Sequence, residues 1–220
     1  MSPRTIFEQQ LTELQEEIKR IGLTVECNYD DLFASIKSND IDTVVRIIKS
    51  ENGINEMKRS IESKCLSLLM RQQPVARDLR MITASLKVVT DIDRLGAICC
   101  DMAELISREK LKSLDHFSEN LEIMANTARK QEHDAVSAFT GRSIDQAMKV
   151  ISGDDDVDDL FNKVKEDIVR KIKSESLSAD DCVDGLMFAK YLEKIGDHAV
   201  NIGQWEVFQE TGNMEDQRLL

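Results

Sequence analysis

The feature that most limits the fold is that the chain repeats itself. DIDTVVRII at 40–48 returns as SIDQAMKVI at 143–151, 103 residues on, with a capping residue, Ile-Asp and the same apolar rhythm in both. The match continues from Gly53-Ile54-Asn55 onto Asp156-Val157-Asp158, each followed by an acid and an apolar residue. Further along, IDRLG at 92–96 falls on LEKIG at 192–196, and Leu86 and Met102 fall on Leu186 and Ile202, now 100 residues apart. The chain is a tandem duplication of two like units. The change of offset puts a three-residue difference in the connection before each unit's last helix. In the first unit that connection is MRQQPVARDLR, where Pro74 stops one helix and can open the next; in the second it is KSESLSADD, rich in helix-starting Ser and Asp.

The periodicity inside the units is helical. Phe7, Leu11, Leu14, Ile18, Ile21, Val25, Tyr29, Leu32 and Ile36 recur at alternating gaps of four and three, the seam of one helix packed along its whole length. Ser2-Pro3 supplies a cap and a first-turn proline. Two prolines and nine glycines in 220 residues leave few places to turn, whereas an all-β fold needs many. Breaks are expected near 38–40, 71–75 and 109–116, then near 140–143 and 174–180. The fold class is therefore all-α, a tandem repeat of two three-helix bundles with six long helices, residues 1–110 forming the first unit and 111–220 the second.

A net charge of −12 argues against nucleic acid as a partner, because phosphate backbones are held by clustered Lys and Arg. The five cysteines are odd in number and lack CxxC spacing, so neither a disulfide framework nor a zinc ribbon is indicated. MSPRTIFEQQ has no apolar core of a leader, and no stretch approaches the apolar length of a membrane span. A soluble cytoplasmic protein without membrane insertion is the expectation.

The last helix of the second unit carries Glu193, Asp197 and Asn201 at four-residue spacing, one above another on a single face. Under the duplication Glu193 falls on Asp93 and Asn201 on Asp101, while Asp197 falls on Ala97. The middle helices carry matching rows: Asp154 and Asp158 in the second unit, Glu51 and Asn55 in the first. With those helices side by side, the facing rows form an oxygen-rich site suited to Mg²⁺, Mn²⁺, Ca²⁺ or iron. Acids packed so closely raise one another's pKa, and a bound cation relieves that repulsion. The same residues are also compatible with an ordinary solvated face, and the Asp154–Asp156 run with a helix start favoured by the macrodipole.

QPVARDLR (73–80), DIDRLG (91–96) and YLEKIGDHAVNI (191–202), each leading into or lying within the last helix of a three-helix unit, resemble the PhoU family of phosphate-uptake regulators over nearly the whole chain. The resemblance implies multinuclear metal clusters held on the bundle surface by E/D-x-x-x-D elements. Glu193 and Asp197 with Asp154 and Asp158 opposite are the implied ligands in the second unit; Asp93 and Asp101 with Glu51 and Asn55 are those in the first. The metal implied is iron, zinc, manganese or magnesium. Ala97 departs from the motif. The resemblance also implies a cytoplasmic, commonly dimeric negative regulator. The role it implies is a link between the ATPase of a phosphate ABC transporter and a sensor histidine kinase.

A di-metal carboxylate enzyme is the alternative from a different class, but such bundles use Glu-x-x-His, and none of His116, His133 and His198 follows a Glu by three. A metal-free structural adaptor is the other alternative. His198 points about 100° from Asp197 on an ideal helix, which favours a polar or packing role over ligation. Cys99-Cys100 reads as a pair of small buried residues. Arg77, Asp78 and Arg80 suit helix-start electrostatics and an interhelical ion pair, while Trp205 fits either a core or an interface.

Overall fold

The computed structural model describes residues 3–72, 74, 76–109, 118–214 and 217–218. The apolar seam from Phe7 to Ile36 folds as a single helix, α1 (Pro3–Ser38), with every seam residue buried. α2 (Ile41–Gln72) and α3 (Arg77–Glu109) complete the first unit. The second unit is α4 (Glu119–Gly141), α5 (Ile144–Ser152), α6 (Asp154–Lys173) and α7 (Ala179–Thr211). α5 and α6 together occupy the place of α2, so the six-helix plan holds with its fifth helix broken at Gly153. A short antiparallel pair, β1 (Asn213–Met214) with β2 (Gln217–Arg218), follows α7 and had no sequence signal. The junction between 1–110 and 111–220 lies at 110–117, outside the described residues, as do Ser2, Gln73, Val75 and His116.

The duplication is legible in the joints. Asn39 and Arg142, 103 residues apart, both have φ 55°, and the following amides, Asp40 and Ser143, donate to the equivalent carbonyls of Ser35 and Ala138. A residue in the left-handed region ends an α-helix, because the next turn cannot continue the ladder. Asp40 and Ser143 then accept hydrogen bonds from the backbone N–H of Thr43 and Gln146, capping α2 and α5 at the same position. Positive φ recurs at Ala76 (47°) and Glu175 (51°), in the connections before α3 and α7.

Inside each unit a glycine sets the approach of the last helix to the middle one. A Cβ on Gly96 would stand 2.9 Å from Ile54 Cδ1; one on Gly196 would stand 3.5 Å from Val157 Cβ and 3.2 Å from Gln131 Oε1. Ile54 and Val157 are equivalent under the duplication, so the same small-against-branched contact is made twice. Between the units, α3 packs along α7 and α1 against α4, and one apolar core runs through both. Glu26 meets His133 at 2.7 Å and Arg129 meets Asp30 across the α1–α4 seam. These two pairs exchange under the 103-residue offset, 26 with 129 and 30 with 133.

Candidate metal centre

The close approach of α7 to α6 at Gly196 lays the Glu193–Asp197–Asn201 row beside the Asp154–Asp158 row. Burial, and after it the charges of Asp158, Asp197, Asp155 and Glu193, hold the Asp154 carboxyl above its ordinary range. Asp197 is raised in the same way, by burial, then Glu193 and Asp158, with Lys190 and His198 opposing. The four carboxylates anticipated in the second unit are thus brought within electrostatic reach of one another. Asn201 lies one turn beyond Asp197 and is exposed. Lys190 pairs with Glu193 from three residues back on the same helix.

Two further features shape this site. Gln131 of α4 donates its side-chain amide to the Gly153 carbonyl at the break between α5 and α6, fixing where α6 begins. The equivalent residue, Asn28, donates to the Ser50 hydroxyl at 2.8 Å beside the unbroken α2. Asp154, Asp155 and Asp156 therefore fill the first turn of α6, where the unpaired N–H groups favour negative charge. The run thus starts α6 as the sequence suggests, and within it Asp154 also feels the neighbouring acids, Asp155 included.

The first unit is different. Asp93 is engaged by Lys58 of α2 at 2.8 Å, with the side chains 16% and 21% exposed. Ala97 offers no donor, Glu51 is exposed, and Asn55 is half-buried. Asp101 is raised by burial and then by Glu104, with no share from Asp93 or Glu51. Lys58 had no signal in the sequence; its counterpart in the second unit is Phe161.

In donor chemistry, then, the second unit fits a hard cation and the first does not. Among the described residues, no three His, Cys, Asp or Glu side chains converge as a bound metal would require. When bound, such an ion would supply positive charge to the carboxylate rows. Glu193, Asp197, Asp154 and Asp158 are the side chains that would hold it.

His198 is turned out of the row and reaches Asp91 of α3 at 2.9 Å, joining the two units. Cys99 is buried, Cys100 is buried with its thiol directed at the Ile47 carbonyl, and both thiols are pushed up chiefly by burial. Arg77 pairs with Glu210 at 3.1 Å, Arg80 donates to the Gln209 and Glu210 carbonyls, and Asp78 takes Arg4 at 2.9 Å. Trp205 is half-buried, edge-on to Phe208 at 5.4 Å.

The sequence pattern of the PhoU domain matches this chain twice, over residues 18–106 and 121–205. The chain belongs to the PhoU family. Its PhoU relatives include the phosphate-specific transport system accessory protein PhoU homolog of Clostridium acetobutylicum, 32% identical over 214 residues, covering 97% of this chain and 98% of the relative. The PhoU homolog 1 of Thermotoga maritima is 29% identical over 214 residues, covering 96% and 91%. The crystal structure of PhoU from Pseudomonas aeruginosa superposes with a TM-score of 0.88 at 24% identity, covering 94% of this chain and all of that one, which shows the shared fold. No described helix is long and apolar enough to cross a membrane.

Proposed function

We propose that this chain is a regulator of phosphate uptake and phosphate signalling, an accessory protein of a phosphate-specific transport system that restrains the pathway when phosphate is plentiful. Similarity to named phosphate-specific transport accessory proteins over nearly the full length of both partners carries the reading. The protein acts without catalysis, as a helical adaptor between the ATPase of a phosphate ABC transporter and a sensor histidine kinase, in the cytoplasm and as a homodimer. Its net charge of −12 supports protein partners over nucleic acid. Metal bound by Glu193, Asp197, Asp154 and Asp158 completes the adaptor; the raised carboxyls of Asp154 and Asp197, each held up by burial and then by neighbouring acids, support this part.

Deleting the gene should leave phosphate-responsive genes on in phosphate-rich medium, and the wild-type gene should silence them again. Normal repression in the deletion strain, with no second copy present, refutes the regulatory reading. For the metal, protein purified without chelator should carry iron, zinc, manganese or magnesium, and Glu193→Ala with Asp197→Ala should lose it. A metal-free structural adaptor is the second reading, favoured by the lack of convergence among the described side chains. Equal, near-zero metal in both proteins would establish it.

A further inference from the structure

The two units present unlike sites at equivalent positions. Where the second unit has Asp154, Asp158, Glu193 and Asp197, the first has Glu51, Asn55, Asp93 and Ala97. Four carboxylates have become two, and one of those two is engaged by an ammonium from the facing helix. The engaging lysine, Lys58, comes from α2 and crosses to Asp93 of α3, as a metal would bridge the corresponding rows. Phe161 at the same position in the second unit cannot do this, and its ring instead lies 5.3 Å beneath the Lys190 ammonium. Lys190 is a different kind of partner. It lies over the Phe161 ring of α6 but takes its carboxylate, Glu193, from its own helix, and it is 46% exposed, against 21% for Lys58.

We propose that the Lys58 ammonium is the resident cation of the first unit, held between α2 and α3 in place of a metal ion, so that the chain loads metal in its second unit alone. A tethered ammonium stands at an effective concentration of about millimolar or more for a short linker. An entering divalent ion must displace it and then finds, at Ala97, no carboxylate to complete its shell. The inference rests on the metal-binding reading of the second unit, and the test separates the two.

The full-length protein is stripped of metal and titrated with Mn²⁺ alone, with bound metal counted after desalting and the fold checked by circular dichroism. Wild type and Asp93→Asn should bind alike, and Glu193→Gln/Asp197→Asn should bind nothing. Into that disabled background, Ala97→Asp should restore nothing while Lys58 remains, whereas Lys58→Phe/Ala97→Asp should gain bound Mn²⁺ and a Mn²⁺-dependent rise in Tm. Metal retained in Glu193→Gln/Asp197→Asn and lost on adding Asp93→Asn overturns the inference. So does Mn²⁺ binding by Ala97→Asp with Lys58 in place, or no binding by a folded Lys58→Phe/Ala97→Asp chain. A wild type that binds no metal, beside a Lys58→Phe/Ala97→Asp chain that does, rejects the reading of the second unit and leaves Lys58 as the block in the first.

Discussion

At the scale of single residues, the buried acids have the clearest consequence. Glu132 of α4 is fully buried at the seam between the units, and neither of its carboxyl oxygens has a hydrogen-bond partner. Burial, with the charges of Glu26 and Asp30 and against that of Arg129, pushes it up to about 8 from an ordinary 4.5. Glu206 of α7 is pushed up to about 8 by burial and Glu210, with Arg142 and Arg77 opposing. An acid whose pKa is higher folded than unfolded binds more protons in the folded state, so stability falls as pH rises between the two values. The contribution is complete below 4.5 and gone once pH passes about 8. The Tm of the protein should therefore decline from pH 5 to pH 9, and Glu132→Gln should flatten the decline. A slope unchanged in both Glu132→Gln and Glu206→Gln would place the pH dependence elsewhere.

At the scale of elements, the small residues where helices cross decide how closely they pack. A Cβ on Gly22 of α1 would lie 2.5 Å from Val136 Cγ1 of α4, nearer than the two atoms can stand. Gly22→Ala should destabilise by about 1–3 kcal/mol through overpacking, even though alanine gains about 1 kcal/mol in helix propensity. Val136→Ala in the same chain should recover a large part of the loss, because the two positions share one contact. Denaturant unfolding of the two single variants and the double would show this; additive losses would mean the helices do not meet there. Much at this scale was readable in advance. The four-and-three gaps of α1 name a seam because burial along a helix has that period, and the Ser and Asp residues at the joints act locally through their own backbone. What was not readable depends on partners distant in sequence. Lys58 reaches Asp93 across 35 residues and His198 reaches Asp91 across 107, so neither pair has a local pattern. Gly153 looks like a mid-helix position by analogy with Ser50, and it breaks the helix where the Gln131 amide, 22 residues away, takes its carbonyl.

At the scale of the whole molecule, the two units share too much surface to behave separately. α3 runs along α7, α1 crosses α4, and a continuous apolar core joins all four. Of the polar pairs on this boundary, Asp30 with Arg129 is an exposed ion pair that contributes under about 1 kcal/mol, and Glu26 with His133 is a hydrogen-bonded contact with a half-exposed imidazole. Cohesion thus comes from the apolar contact. Calorimetry should show one transition whose calorimetric and van't Hoff enthalpies agree, and Glu26→Gln with Asp30→Asn should leave it single. Two resolved transitions would mean that the units fold independently.

The charges on that boundary have another effect. Glu26 and Asp30 are both acidic on α1, and their duplicates, Arg129 and His133, are both basic on α4. Complementarity is therefore assigned by copy, where a symmetric dimer of a single unit could assign it only by position. Two first units meeting through α1 would set acid against acid, and two second units meeting through α4 would set base against base. Each half thus discriminates against its own kind.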